Sequence, residues 1–268
     1  MKATLAGPGA LEALEVGGDG TVKAWFARAC YLELPGGLVT LVAPDVQPGP
    51  TYVELDGPPP LADRGSRVRA TDGRLTIGGR QIDVGAAGAW RGSLPTPTRM
   101  RAVAHRIAQA TREESRRSAL RWEPFRTKAV QARERLREGR LDEAAHGLVG
   151  MGPGLTPSGD DALAGILLAL RAARGPAIEP RTLRLAEAGD TGVISRAFLR
   201  WAARGQALAP AHDLLVAAAA GDAERASNAA RDMGAVGETS GADFLLGLTW
   251  GVEAAYGLGD LVPAQTRR

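Results

Sequence analysis

Residues 93–100, SLPTPTRM, divide the sequence into two unlike halves. Upstream, to about Trp90, short runs rich in β-branched and aromatic residues (TVKAWFARACYLEL, GLVTLVA, TYVEL, SRVRA, RLTIGGRQIDV) alternate with Gly and Pro clusters such as LPGG, DVQPGP and DGPPP. That alternation predicts strands and turns. Downstream, apolar residues recur every three or four positions in segments 99–121, 124–138, 141–147, 159–174, 181–188, 192–204, 210–220, 222–232 and 241–256. These are helical periods bounded by Gly, Pro, Asp, Ser or Thr, with Thr98 a candidate N-cap for the first. The expectation is an α+β protein with a β-rich domain over 1–92, an antiparallel barrel or sandwich, followed by an all-helical domain over 99–262.

Composition narrows the classes further. The chain has 268 residues, 44% of them hydrophobic and only 4% aromatic, enough for a core built mainly from Leu, Val, Ala and Ile. The single cysteine, Cys30, precludes an intramolecular disulfide or a thiolate cluster, which points to a cytoplasmic setting. Neither a signal-peptide core nor an 18-residue apolar run is present, so the expectation is no membrane partner. The net charge of +3 is uneven, with thirteen Lys/Arg against five glutamates in 99–140. There Arg and Glu mix at helical spacings, the pattern of a solvated face, and no specific nucleic-acid binding is expected.

One feature of the helical half is not generic. Gly154-Leu155-Thr156-Pro157-Ser158-Gly159-Asp160-Asp161, with Pro157 removed, aligns onto Gly237-Glu238-Thr239-Ser240-Gly241-Ala242-Asp243, and each copy opens an apolar helix. Ser158 with Asp161, and Ser240 with Asp243, fit S-x-x-D capping boxes, which account for one Ser and one Asp per copy. Capping leaves unexplained the preceding Thr and Gly, the extra carboxylate of Asp160 and the lead GMGPG. Glycines admit close backbone approach, and helix N-termini present free N–H groups, so two such loops can form an anion cradle.

On this reading Gly152, Gly154, Leu155, Thr156, Ser158, Gly159, Thr239, Ser240 and Gly241 bind substrate, and Asp160, Asp161 and Asp243 are the candidate catalytic carboxylates. The carboxylates would repel an anion unless they cap helices, ligate Mg²⁺ or accept from substrate N–H groups. An amide-bearing anion uses both features. The lysine of a P-loop is missing, which argues against nucleotide triphosphate binding by that device. The three histidines show no metal-ligand spacing, so no resident metal or other cofactor is expected, with Mg²⁺ the one open option. His146 closes a helical segment, and His105 and His212 read as structural. In GDTGVISRAFLRW, Thr191, Ser195 and Arg196 are further substrate-binding candidates, Arg196 as the cation the loops lack.

GMGPGLTPSGDDALAG (150–165), TSGADFLLGLTWG (239–251) and LVTLVAPDVQPGP (38–50) together resemble the AllH-type family, long filed as a domain of unknown function. Its allantoin-utilisation member is a subunit of oxamate carbamoyltransferase. The chain departs from the family pattern at Glu238, where a histidine is common. The resemblance implies carbamoyl transfer between oxamate or oxalurate and phosphate or carbamoyl phosphate, in a complex with other carbamoyltransferase subunits, and Thr191, Ser195 and Arg196 recur in it. Two other functions fit the residues: a non-catalytic small-anion-binding subunit or regulator, and a Mg²⁺-dependent phosphate-handling enzyme.

Overall fold

The computed structural model describes residues 1–257, and the expected end of the helical domain at 262 lies outside the described residues. The chain separates into two compact units, the first spanning Met1–Gly92 and the second beginning at Ser93. Each has its own apolar core.

The first unit is a single nine-stranded sheet. Its strands are β1 (Ala3–Ala6), β2 (Gly18–Phe26), β3 (Ala29–Leu34), β4 (Gly37–Val42), β5 (Tyr52–Leu55), β6 (Arg67–Thr71), β7 (Arg74–Ile77), β8 (Arg80–Asp83) and β9 (Gly88–Ala89). Spatially they run β8-β7-β6-β2-β3-β4-β5-β1-β9. Most pairs are antiparallel, as expected, while β4–β5 and β1–β9 are parallel. A bridge between Lys2 and Asp83, with the Asp83 N–H donating to Met1 O at 3.1 Å, draws the β8 end towards β1 and curls the sheet into a half-barrel. Strict alternation fills one face: Cys30, Leu32 and Leu34 of β3 and Val68 and Ala70 of β6 are buried between exposed or half-buried neighbours.

The expectation of strands and turns alone missed one helix, α1 (Pro8–Val16). Pro8 pre-sets its first turn, and Ala10 and Ala13 are its fully buried contacts. Small residues at helical spacing carry little hydrophobic signal. They nevertheless let the helix sit close to the sheet, where a Cβ on Gly36 would come within 2.8 Å of the Ala13 Cα.

The second unit is helical throughout its described length, as the periodicity indicates. Its helices are α2 (Pro97–Thr111), α3 (Arg126–Arg137), α4 (Leu141–Leu148), α5 (Ser158–Arg174), α6 (Glu179–Ala186), α7 (Val193–Ala203), α8 (Ala209–Ala220), α9 (Ala223–Gly234) and α10 (Ser240–Tyr256). Two boundaries depart from the sequence reading. Thr96, not Thr98, caps α2, with Pro97 as its first helical residue. The continuous helix expected over 99–121 stops at Thr111 and gives way to two short 3₁₀ turns, Glu114–Arg117 and Ala119–Arg121. Buried hydroxyls hold those turns: Ser115 donates to Arg112 O at 3.2 Å, and Ser118 accepts from the Leu120 N–H. Such local bonds compete with a helical ladder.

Helices α5 and α10 are buried almost all round and form the centre of this unit. They cross on glycine. A Cβ on Gly165 would lie 2.1 Å from Phe244 O, and one on Gly247 would lie 1.9 Å from Ala162 O. Both helices are 17 residues long and start at the serine of the repeated motif, so Gly165 and Gly247 occupy equivalent places. The internal repeat seen in sequence is thus a pair of matched helices packed backbone to backbone.

Candidate functional site

The two motif loops meet at the N-terminal ends of α5 and α10. Thr156 Oγ1 of the first lies 3.1 Å from Ser240 Oγ of the second. The chain leading into each helix is also held tightly. A Cβ on Gly159 would fall 2.0 Å from Leu148 O, and one on Gly241 would fall 1.8 Å from Met233 O, so both loops fold back on the helix before them. Gly152, at φ +121°, presses against Ser158, where a Cβ would sit 2.9 Å from the serine nitrogen. That combination of backbone angle and close approach admits only glycine.

The expected capping boxes do not form. Pro157 and Thr239 are the N-caps, Ser158 and Ser240 are already the first helical residues, and neither cap makes a side-chain hydrogen bond. The serines and aspartates are therefore released from capping, and their geometry assigns them other work.

Asp160, 2% exposed, ties three segments together. Its Oδ1 accepts from the Gly150 N–H at 2.7 Å and its Oδ2 accepts a short bond from Thr191 Oγ1. Both oxygens are satisfied by the chain itself. The carboxylate that capping leaves unexplained is thus accounted for by bonds within the chain. In the second motif Ala242 stands in this position, and no counterpart of the tie is made there.

Asp161 and Asp243, the matched aspartates, each keep a buried Oδ2 without a hydrogen-bond partner. Burial pushes the Asp161 carboxyl well above the usual carboxylate range, and the nearby Asp243 and Asp160 charges add to it. The Ser240 and Thr156 hydroxyls pull the other way. Asp243, fully buried, is also raised by burial, against the hydroxyls of Ser118, Ser158 and Thr239. Each motif's serine thus faces the other motif's aspartate. An unpaired buried carboxyl oxygen costs free energy, and such perturbed groups concentrate where chemistry is done.

The remaining candidates frame this cluster. Gly154 and Leu155 lie exposed at the tip of the first loop, and the Leu155 carbonyl accepts from Ser195 Oγ at 3.3 Å. Arg196 donates to Ala186 O at 3.1 Å and Gly189 O at 2.6 Å and pairs with Glu187 at 3.2 Å. Its guanidinium holds the end of α6 and the turn after it, so the cation sought for the loops is already engaged. Ser118 was missed in the sequence: its Oγ donates to Asp243 Oδ1 at 2.6 Å. It stands in an arginine-rich run whose charge pattern reads as solvated surface, and nothing in that pattern marks one serine as buried. Among the described residues no group of three or more His, Cys, Asp or Glu is arranged to hold a metal ion.

Residues 148–252 match the family model described as oxamate carbamoyltransferase subunit AllH. No curated protein and no solved structure matches the chain. The matched segment takes in both loops, all three aspartates and the Thr191–Arg196 region. Ser118 and the first unit lie outside it. The segment that carries both motif loops and the three aspartates is thus similar to the AllH-type family.

Proposed function

We propose that this chain is a subunit of a carbamoyltransferase, working in complex with other subunits of that enzyme, and that the paired loops bind the amide-bearing substrate, oxamate or oxalurate. The observation that carries this reading is the pair of unpartnered, buried carboxyl oxygens on Asp161 and Asp243 at the junction of the two loops. A carboxyl group whose pKa is raised holds its proton to higher pH, and while it does so it is a hydrogen-bond donor and a general acid.

In the direction that consumes oxalurate, a phosphate oxygen bonds to the terminal carbamoyl carbon. The bond from that carbon to the oxamate nitrogen breaks, and the nitrogen takes a proton as oxamate leaves. Asp161 is the proposed proton donor, since its residue retains some exposure, though its Oδ2 is buried, while Asp243 is fully enclosed. Asp243, held by Ser118, keeps the Asp161 proton in place by opposing a second negative charge. In reverse, the Asp161 carboxylate accepts the amide proton as carbamoyl phosphate is consumed. Asp160 acts as a positioning residue, fixing the loop through Gly150 and Thr191.

No metal is required by this scheme. Calorimetry with oxamate should give the same affinity with Mg²⁺ and with a chelator, and Asp161→Asn should lower carbamoyl transfer, measured with the partner subunits present, by on the order of 10²-fold or more. Oxalurate phosphorolysis should fall as pH rises through the elevated pKa of the acid. Metal-dependent binding, or full turnover by Asp161→Asn, would replace this reading with a Mg²⁺-dependent phosphate enzyme or a non-catalytic sensor respectively.

A further inference from the structure

Beside the first loop lies a cleft of about 610 Å³, within the range of small-molecule sites. Lys128, Gln131 and Arg135 reach it from α3, and His146 from the end of α4, with Gly150–Gly152 forming a third wall. Spacings of three and four residues put the α3 trio on one face of the helix. No acidic residue lines the cleft.

The basic groups here are weakly committed. Arg135 approaches Glu143 only at 3.9 Å and the Glu143 carbonyl at 3.5 Å. Gly147 lies beneath its guanidinium, where a Cβ would be 3.3 Å from a terminal nitrogen. His146 is held through Nδ1 to Ala188 O at 2.9 Å, which fixes the ring and leaves Nε2 for another partner. Lys128 is exposed and has no ion-pair partner among the described residues.

The cleft and the carboxyl cluster share the wall Gly150–Gly152. The Gly150 N–H bonds Asp160, and Gly152 backs onto Ser158. A reaction that joins an amide-bearing anion to phosphate needs a place for a phosphoryl dianion, and three aspartates with Arg196 already engaged do not offer one. We propose that this basic cleft is the phosphoryl subsite, binding inorganic phosphate or the phosphate of an acyl phosphate beside the carboxyl cluster. Lys128 supplies a point charge, and Arg135 a planar fork that matches two phosphate oxygens. The assignment of the reaction rests on the function proposed above, whereas binding of the anion stands apart from it.

The test is calorimetry of inorganic phosphate against the full chain. Wild type should bind, and the double variant Lys128→Gln/Arg135→Gln should bind at least roughly tenfold more weakly with an unchanged melting temperature. Asp161→Asn should bind phosphate as well as wild type or better, since Asp161 does not line the cleft and its replacement removes an acidic group. Carbamoyl phosphate should compete with inorganic phosphate for the site. Absence of phosphate binding, or equal binding by the double variant, overturns the assignment. ADP binding more than roughly tenfold tighter than phosphate overturns it in favour of a nucleotide site. Oxamate binding in the same samples reports separately on the carboxyl cluster, so that reading can survive the loss of this one.

Discussion

Burial, and then the neighbouring carboxylates, oppose ionisation of Asp161 in the folded chain and raise its pKa. In the unfolded chain the same group titrates near the ordinary value of 3.8. Between that value and the raised folded one, the folded state binds more protons, so this group's contribution to stability falls as pH rises through the window. Replacing Asp161 by Asn removes the effect. The melting-temperature difference, variant minus wild type, should therefore grow from pH 4 towards neutrality, and a flat difference would contradict the protonated assignment.

At Asp160 the hydrogen bonds are what a substitution would disturb. Asp160→Ala removes both acceptors, leaving the Gly150 N–H and the Thr191 hydroxyl without them, and is expected to cost on the order of 1–3 kcal/mol in urea denaturation. At Cys30, fully buried, burial pushes the thiol pKa up to about 11. A disulfide exchange reagent should leave it unmodified in the native protein and react only on unfolding.

At the scale of elements, the α5–α10 pair decides where the site is. Alanine at Gly247 would drive a Cβ into the Ala162 backbone, and a loss of about 3 kcal/mol, at the upper end for an overpacked core, is the expected result in denaturant unfolding. The repeated motif was legible in the sequence because glycine, serine and aspartate in fixed order are rare enough to align by eye. The helices after each copy were equally plain from their apolar period. The roles of the side chains were not. Ser-x-x-Asp satisfies a capping pattern whether or not the cap forms, and the N-cap falls one residue earlier here, at Pro157 and Thr239. The cross-facing of each serine with the other motif's aspartate is a tertiary fact that one-dimensional spacing does not encode. The same holds for Ser118, brought to Asp243 across 125 positions. Helix α1 stayed hidden because alanines pack well while signalling weakly.

For the whole molecule, the charge distribution sets what it should and should not bind. The basic run 99–140 is laced with ion pairs, including Arg116 with Glu113, Arg140 with Glu138 and Glu143, and Arg133 with the buried Glu253. That pairing engages part of the charge a nucleic acid would need. Any DNA or RNA retention should be weak and should disappear between roughly 50 and 200 mM salt. Because the second unit closes its own core, residues 93–268 expressed alone should unfold in one cooperative urea transition, and a broad non-cooperative melt would show that the β unit is needed.

The glycine crossing has one more effect, and it operates at a distance. Gly165 and Gly247 stand seven residues, or roughly 10 Å, beyond Ser158 and Ser240 along their helices. Backbone against backbone at that crossing leaves no side chains to rearrange, so α5 and α10 behave as two arms pinned at a fulcrum. The spacing of the two loops is therefore set from inside the bundle. A larger residue at either glycine would spread the arms and move Thr156 against Ser240, so the fit of the two loops depends on two residues that lie outside them.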